Sequence, residues 1–98
     1  MPTYLALHEH RGEGATTIAQ LPERLERAAR MARSLDCEFE YYLVNGQYDS
    51  AVVIDAPDGR TAKRLALGVG NTGTVTTEFQ RAFDESAVED LVENIPGP

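Results

Sequence analysis

Asn45-Gly46 separates two runs rich in β-branched and aromatic residues, Glu38 to Val44 and Tyr48 to Ala56. That dipeptide is the strongest short-range signal for a β-hairpin, because a tight type I′ turn needs positive φ at both central residues. With Asn45-Gly46 as a two-residue turn, Leu43 pairs with Tyr48, Tyr42 with Asp49 and Tyr41 with Ser50. Alternation then places Phe39, Tyr41, Leu43, Tyr48, Ser50, Val52 and Ile54 on one face. Glu38, Glu40, Tyr42, Val44, Gln47, Asp49, Ala51, Val53 and Asp55 fall on the other. A slip of one residue would exchange the two sets.

The elements around the hairpin are legible by similar means. Thr3 to His8 reads as a first strand, with Leu5 and Leu7 on one side and Tyr4, Ala6 and His8 on the other. Glu9 to Ala15, with Gly12 and Gly14, reads as a loop. Thr17 to Gln20 has the form of a capping box, but Pro22 would break a helix begun there, so a short turn at 17–20 and a helix from Pro22 are expected. Leu21, Leu25, Ala28, Ala29, Met31, Ala32 and Leu35 share one arc of that helix. The opposite side carries Glu23/Arg27 and Glu26/Arg30 in the favourable i,i+4 order.

Beyond the hairpin, Asp58 is placed to cap a helix bearing Ala62, Leu65, Ala66 and Val69, which Gly68 and Gly70 end. Thr74 to Phe83 alternates as a last strand. Ser86 to Glu89 is a second capping box, opening a helix over about 86–95 with a narrow apolar stripe of Val88, Leu91, Val92 and Ile95. That stripe either covers the chain's own sheet edge or reaches a second subunit, since so short a helix is marginal alone.

The order is β-α-β-β-α-β plus a C-terminal helix, an α+β arrangement of the ferredoxin-like kind with one antiparallel sheet and a strand order of 4-1-3-2. Right-handed crossovers put both intervening helices on the same face. Leu5, Leu7, Phe39, Leu43, Val52 and Ile54 are expected beneath them, leaving Tyr4, His8, Tyr42, Asp49 and Val53 on the uncovered face. All 98 residues form one domain, with its core over 3–83.

Composition narrows the partners. The net charge is −7, and residues 34–98 hold four basic and twelve acidic side chains. Such a chain is repelled by phosphate backbones and anionic membranes, so neither nucleic acid nor membrane is an expected partner. No apolar run has the length of a membrane span and no signal-peptide layout opens the chain, which points to the cytoplasm. The single cysteine, Cys37, leaves no internal disulfide and is read as a buried, inert thiol.

Several short blocks in order carry a family resemblance: Leu21-Pro22-Glu23-Arg24, then Gly46-Gln47-Tyr48-Asp49, Ala56-Pro57-Asp58, Gly70-Asn71-Thr72-Gly73 and Thr76-Thr77. From about Tyr4 to Phe83 the chain resembles the GYD domain family, named for its Gly-x-Tyr-Asp turn. It departs from the pattern at Asp36-Cys37, where a glycine is expected before the second strand, and at Asn45, where an apolar residue is expected before the motif glycine. The resemblance implies a dimeric α/β-barrel, in which two sheets pair by their uncovered faces. Wider relatives of that fold include cofactor-free monooxygenases, haem enzymes and ligand-sensing modules, so fold alone assigns no reaction.

Gly68 to Gly73 spells G-x-G-x-x-G, yet these glycines follow a helix and precede a strand, the reverse of a dinucleotide site, and that reading is rejected. His8-Glu9-His10 could offer two imidazoles to a metal, but a third ligand would have to come from Glu40, Asp49 or Glu78, so no metal and no cofactor are expected. Tyr48 is read as a core aromatic with its hydroxyl on backbone. His8, Tyr42 and Asp49 form the candidate site, in a cavity walled by Tyr4, Ala6, Ala51 and Val53 once a second copy closes it. His8 titrates near neutrality and would be the catalytic base of an enzyme, with Asp49 orienting it. The plainer reading is that Asp49 bonds turn backbone while Tyr42 and His8 pack an interface. The expectation is a homodimer binding a small apolar or aromatic molecule. The alternatives are a non-catalytic oligomerisation or sensor module and a cofactor-free monooxygenase or isomerase.

Overall fold

A computed structural model of the chain describes residues 1–10, 18–69 and 75–97. The elements run β1 (Thr3–His10), a 3-10 turn (Ile18–Gln20), α1 (Leu21–Ser34), β2 (Glu38–Leu43), β3 (Ser50–Asp55), α2 (Gly59–Val69), β4 (Val75–Ala82) and α3 (Glu85–Glu93). The four strands form one antiparallel sheet in the order β2-β3-β1-β4, and α1 and α2 share one face of it. This is the expected ferredoxin-like arrangement. The loop over 11–15, Thr17 of the first capping box, the turn over 70–73 and Thr74 lie outside the described residues. Among those described, no helix is long and apolar enough to cross a membrane.

α1 begins as Pro22 dictates, after a short 3-10 turn. Backbone hydrogen bonds close its far end. The Cys37 amide donates to the Ala32 carbonyl at 2.8 Å and the Asp36 amide to that of Arg33 at 3.2 Å, the paired bonds of a Schellman stop. Asp36 holds φ +57° there, the left-handed conformation a glycine adopts without strain. α2 starts as expected, with Asp58 Oδ1 accepting the Thr61 amide at 2.8 Å. This bond holds the Asp58 carboxyl below the usual carboxylate range. Near its end, Gly68 lets α2 approach α1, since a Cβ there would collide with Sδ of Met31.

The first strand faces opposite to the expectation. Tyr4, Ala6 and His8 are buried, and the register aligns them with Ile54, Val52 and Ser50 under the helices. Leu5 and Leu7 stand beside Val53 and Ala51 on the open face, only half-buried. Alternation says which side chains share a face and not which face a helix covers. Here Tyr4 stacks on Phe79 with ring centroids 5.4 Å apart, so an aromatic pair fills the space assigned to leucines. Leu43 shares the covered side but lies beyond the helices, 61 % exposed. The core gathers Tyr4, Ala6, Val52 and Ile54 against Ala32, Ala62 and Leu65, with Cys37 at its edge.

The hairpin has a wider turn than Asn45-Gly46 suggests. Tyr41 faces Val52 and Leu43 faces Ser50, two residues on from the expected partners. The Val44 amide donates to the Asp49 carbonyl at 3.0 Å, so residues 45–48 form the loop. Because the shift is even, it preserves which residues share a face.

α3 is capped by Asp84, whose Oδ1 accepts from the Ser86 hydroxyl at 2.6 Å and the Ala87 amide at 3.2 Å. The expected Ser86 capping box is thus displaced by an aspartate two residues earlier. No residue of α3 is buried, so the helix does not bury its stripe on the chain's own sheet. The molecule is 52 Å long and 18 Å thin.

Candidate functional site

The residues singled out in the sequence separate between the two sides of the sheet. His8 and Tyr4 lie under the helices, whereas Tyr42 and Val53 stand on the open face and Asp49 in the hairpin loop. His8, Tyr42 and Asp49 therefore do not share one cavity. Asp49 bonds the backbone of β1 and not that of its own turn. Its Oδ2 accepts the His10 amide at 2.8 Å and its own amide donates to the His8 carbonyl at 2.9 Å, fastening the hairpin loop to the end of β1.

Tyr48 completes that fastening from the other side of the sheet. Its hydroxyl donates to Glu78 Oε2 at 2.6 Å, and Glu78 pairs with Leu7 on the open face. The ring thus reaches from the loop toward β4 over the uncovered side and does not enter the core. The bond to Glu78 raises the Tyr48 phenol above its ordinary value. Gly46 makes the loop possible with φ +148°, a region side-chain-bearing residues rarely enter. The Gly-x-Tyr-Asp segment is a clamp: glycine turns the chain, tyrosine ties it to β4, and aspartate ties it to β1.

The open face itself is an apolar strip inside an acidic frame. Leu5, Leu7, Ala51 and Val53 run along its centre. Register places Glu9, Glu38, Glu40, Asp55 and Glu78 around them, and no Lys or Arg of the described strands points that way. Asp55 Oδ1 accepts the Thr3 hydroxyl at 2.7 Å, and Glu40 Oε2 accepts that of Tyr42 at 2.6 Å. Tyr42 remains 50 % exposed.

On the covered side, a small gap of about 20 Å³ lies between the two helices and the sheet. Ala6, His8, Phe39 and Tyr41 line its floor, and Leu25, Ala28 and Val69 its walls. His8 is 5 % exposed, with Nδ1 2.9 Å from Oγ1 of Thr77. Burial, and secondarily the neighbouring His10, push its pKa below the ordinary histidine value, which keeps the imidazole neutral at pH 7. The Tyr41 hydroxyl is buried and has no hydrogen-bond partner among the described residues. Leaving such a group unpaired costs roughly 1–3 kcal/mol. Nothing in the sequence distinguished Tyr41 from the other hairpin aromatics; an unmet hydrogen bond is a property of packing. Among the described residues, no three His, Cys, Asp or Glu side chains converge as metal ligands would.

Comparison with known proteins adds the family. The chain is 32 % identical over 97 residues, covering 94 % of this chain and 96 % of the other, to a Thermus thermophilus protein named glutamine synthetase and cystathionine beta-lyase binding protein. Among solved structures, the de novo designed protein Ferredog-Diesel superposes with a TM-score of 0.56 at 7 % identity, covering 83 % of this chain and 85 % of that one, a likeness of fold alone. The GYD domain matches residues 4–92, taking in the clamp, the open face and nearly all of α3. The chain belongs to the GYD domain family.

Proposed function

We propose that this protein is a binding module that pairs with a second copy through its open sheet face and docks on a partner enzyme. The carrying observation is the strip of Leu5, Leu7, Ala51 and Val53, apolar and continuous across two central strands yet backed by helices on one side only. Burying such a strip is worth about 25 cal/mol per Å² of apolar surface removed from water. A second copy offers a self-complementary strip about a two-fold axis. The uncovered stripe of α3 and the residue beyond its cap, with Val88, Leu91, Val92 and Ile95 between 46 % and 66 % exposed, are then free to meet the partner. The name of the Thermus relative supports glutamine synthetase and cystathionine β-lyase as the first enzymes to try.

The acidic frame gives this pairing a recognisable signature. Two copies bring like charges together, so added salt strengthens the dimer by screening them. Sedimentation equilibrium is expected to give twice the 10.8 kDa monomer mass, with tighter association at 0.5 M than at 0.05 M NaCl. Val53→Asp is expected to yield a folded monomer. A wild-type monomer at micromolar concentration in both salts defeats the pairing. Removal of residues 84–98 is expected to leave the mass ratio intact and to abolish enzyme binding measured by calorimetry.

A further inference from the structure

We propose that the outer edge of β4 is a docking site for an extended acidic peptide of the form Glu-x-Glu, added to the sheet as a fifth strand. This goes beyond the pairing of open faces and the docking of α3, since it uses neither surface. β4 ends the sheet and pairs with β1 alone, so its outer amides and carbonyls have no strand beside them among the described residues. Main-chain bonds to such an edge hold an extended peptide, and the flanking side chains select it.

The flanking side chains here are cationic. In a chain of net charge −7, the four basic residues beyond residue 33 are Arg60, Lys63, Arg64 and Arg81, and all lie exposed on α2 or β4. No carboxylate of the described residues pairs with any of them. The neighbouring Asp84 is committed to capping α3. Two of the four cations rest on aromatic rings. Lys63 Nζ lies 5.2 Å from the centre of Phe79 and Arg81 Cζ 5.4 Å from that of Tyr4, and these two rings stack. Phe83 covers the same guanidinium at 4.3 Å, and its Nη1 donates to the Thr3 carbonyl at 2.9 Å and to that of Ala82. A guanidinium already fixed in this way loses little freedom on meeting a carboxylate.

The spacing of these cations defines the occupant. Phe79 and Arg81 align with Ala6 and Tyr4, so both turn to the helix side of the sheet. They are alternate residues of one strand, about 6–7 Å apart along it. In an added strand, residues i and i+2 turn the same way with the same spacing, which sets one carboxylate beside Lys63 and the next beside Arg81. The residue between them turns to the open face beside Gln80, where Glu78 already stands, and a neutral side chain is required there. The opposite edge of the sheet is β2, whose exposed Glu38 and Glu40 repel such a peptide.

The probe is the dye-labelled peptide Thr-Glu-Thr-Glu-Thr, followed by fluorescence anisotropy at low ionic strength. Saturable binding is expected, with ¹⁵N shifts along Thr76 to Ala82 and none at Val53 or Leu91. Thr-Thr-Glu-Glu-Thr has the same composition but turns its carboxylates to opposite faces. It should bind about three- to fivefold more weakly, the worth of one exposed ion pair. Arg81→Gln and Lys63→Gln should each remove that preference, and Lys63→Gln should leave the melting temperature unchanged. Methylating the amide nitrogens of the two Glu, or separately those of the Thr residues, should abolish binding in one case only, because alternate amides of a strand face opposite neighbours. Absence of saturable binding overturns the proposal, as do equal affinities for the two peptides or equal effects of the two methylations. Displacement of the probe by a synthetic peptide of residues 84–95, at lower concentration than unlabelled Thr-Glu-Thr-Glu-Thr requires, would assign the edge to α3 of a second copy and overturn it too.

Discussion

The two faces of this sheet carry opposite chemistry. Under the helices lie Tyr4, Ala6, His8, Phe39, Tyr41, Val52 and Ile54, and the described strands turn no carboxylate to that side. The strand carboxylates Glu9, Glu38, Glu40, Asp55 and Glu78 all point the other way, framing a narrower apolar strip. A carboxylate under the helices would lose its water, whereas at the rim of the open face it keeps its hydration. The covered face therefore stabilises the monomer by burial. The open face leaves its apolar strip to water within hydrated carboxylates. Packing on one side and the proposed association on the other are the two quantities to perturb separately.

The largest effect is expected from Leu65, which stands 2 % exposed where α2 meets the sheet. Leu65→Ala should cost about 2–5 kcal/mol of folding free energy, from lost transfer and the cavity left behind. Leu5→Ala on the open face should cost the isolated monomer roughly 1 kcal/mol or less, while weakening self-association. Melting curves at several protein concentrations distinguish the two, because a dimer's melting temperature rises with concentration. Leu65→Ala should lower every curve, and Leu5→Ala should chiefly remove their spread. Equal losses at all concentrations would erase the distinction between the faces.

Acidification probes the covered face through His8. Its folded pKa lies below the ordinary 6.5, so the unfolded chain takes up a proton more readily than the folded one. The stability owed to the neutral, buried ring is complete above the unfolded value and declines as pH falls from there toward the folded pKa. Thr77 and the nearby His10 meet the ring, and a charge on His10 opposes a second one on His8. Following the ring protons by NMR, His8 should titrate below 6.5. A midpoint above 6.5 would mean that a charged imidazole is welcome on that side.

How much of this was legible beforehand depended on which kind of signal each feature carried. The element order, the arc of α1 and the cap at Asp58 came from local chemistry, and local chemistry survived folding. Faces within each strand were also readable, since period two is a property of the backbone. Which face of β1 the helices cover was not, because Leu5/Leu7 and Tyr4/Ala6/His8 are both apolar enough to be buried and a central strand buries parts of both. The choice is made on the neighbouring strands by Ile54, which aligns with Tyr4, and by Phe79, which aligns with Ala6 and stacks on the Tyr4 ring. The hairpin pairing moved by two for a comparable reason: Asp49 and Tyr48 have better partners in β1 and β4 than in a two-residue turn. The expected site failed with the facing of β1, since His8 went to the side opposite Tyr42.

The smallest predicted effect lies where the two faces share a cause. The stop after α1 sets the direction in which β2 leaves, and so fixes which of its residues turn toward the helices. That stop rests on Asp36 at φ +57°, a conformation costing most side-chain-bearing residues about 1–2 kcal/mol and aspartate somewhat less. Asp36 is exposed. Asp36→Gly removes the penalty but gives the unfolded chain more freedom to lose, which offsets part of the gain. The net should be a stabilisation of up to about 1 kcal/mol, or several degrees in melting temperature for a domain of this size. Self-association should not change, because the Cys37–Ala32 and Asp36–Arg33 backbone bonds that position β2 are available to either residue. A destabilised Asp36→Gly protein would mean that the aspartate side chain itself holds the stop, and the geometry of both faces would then depend on that one carboxylate.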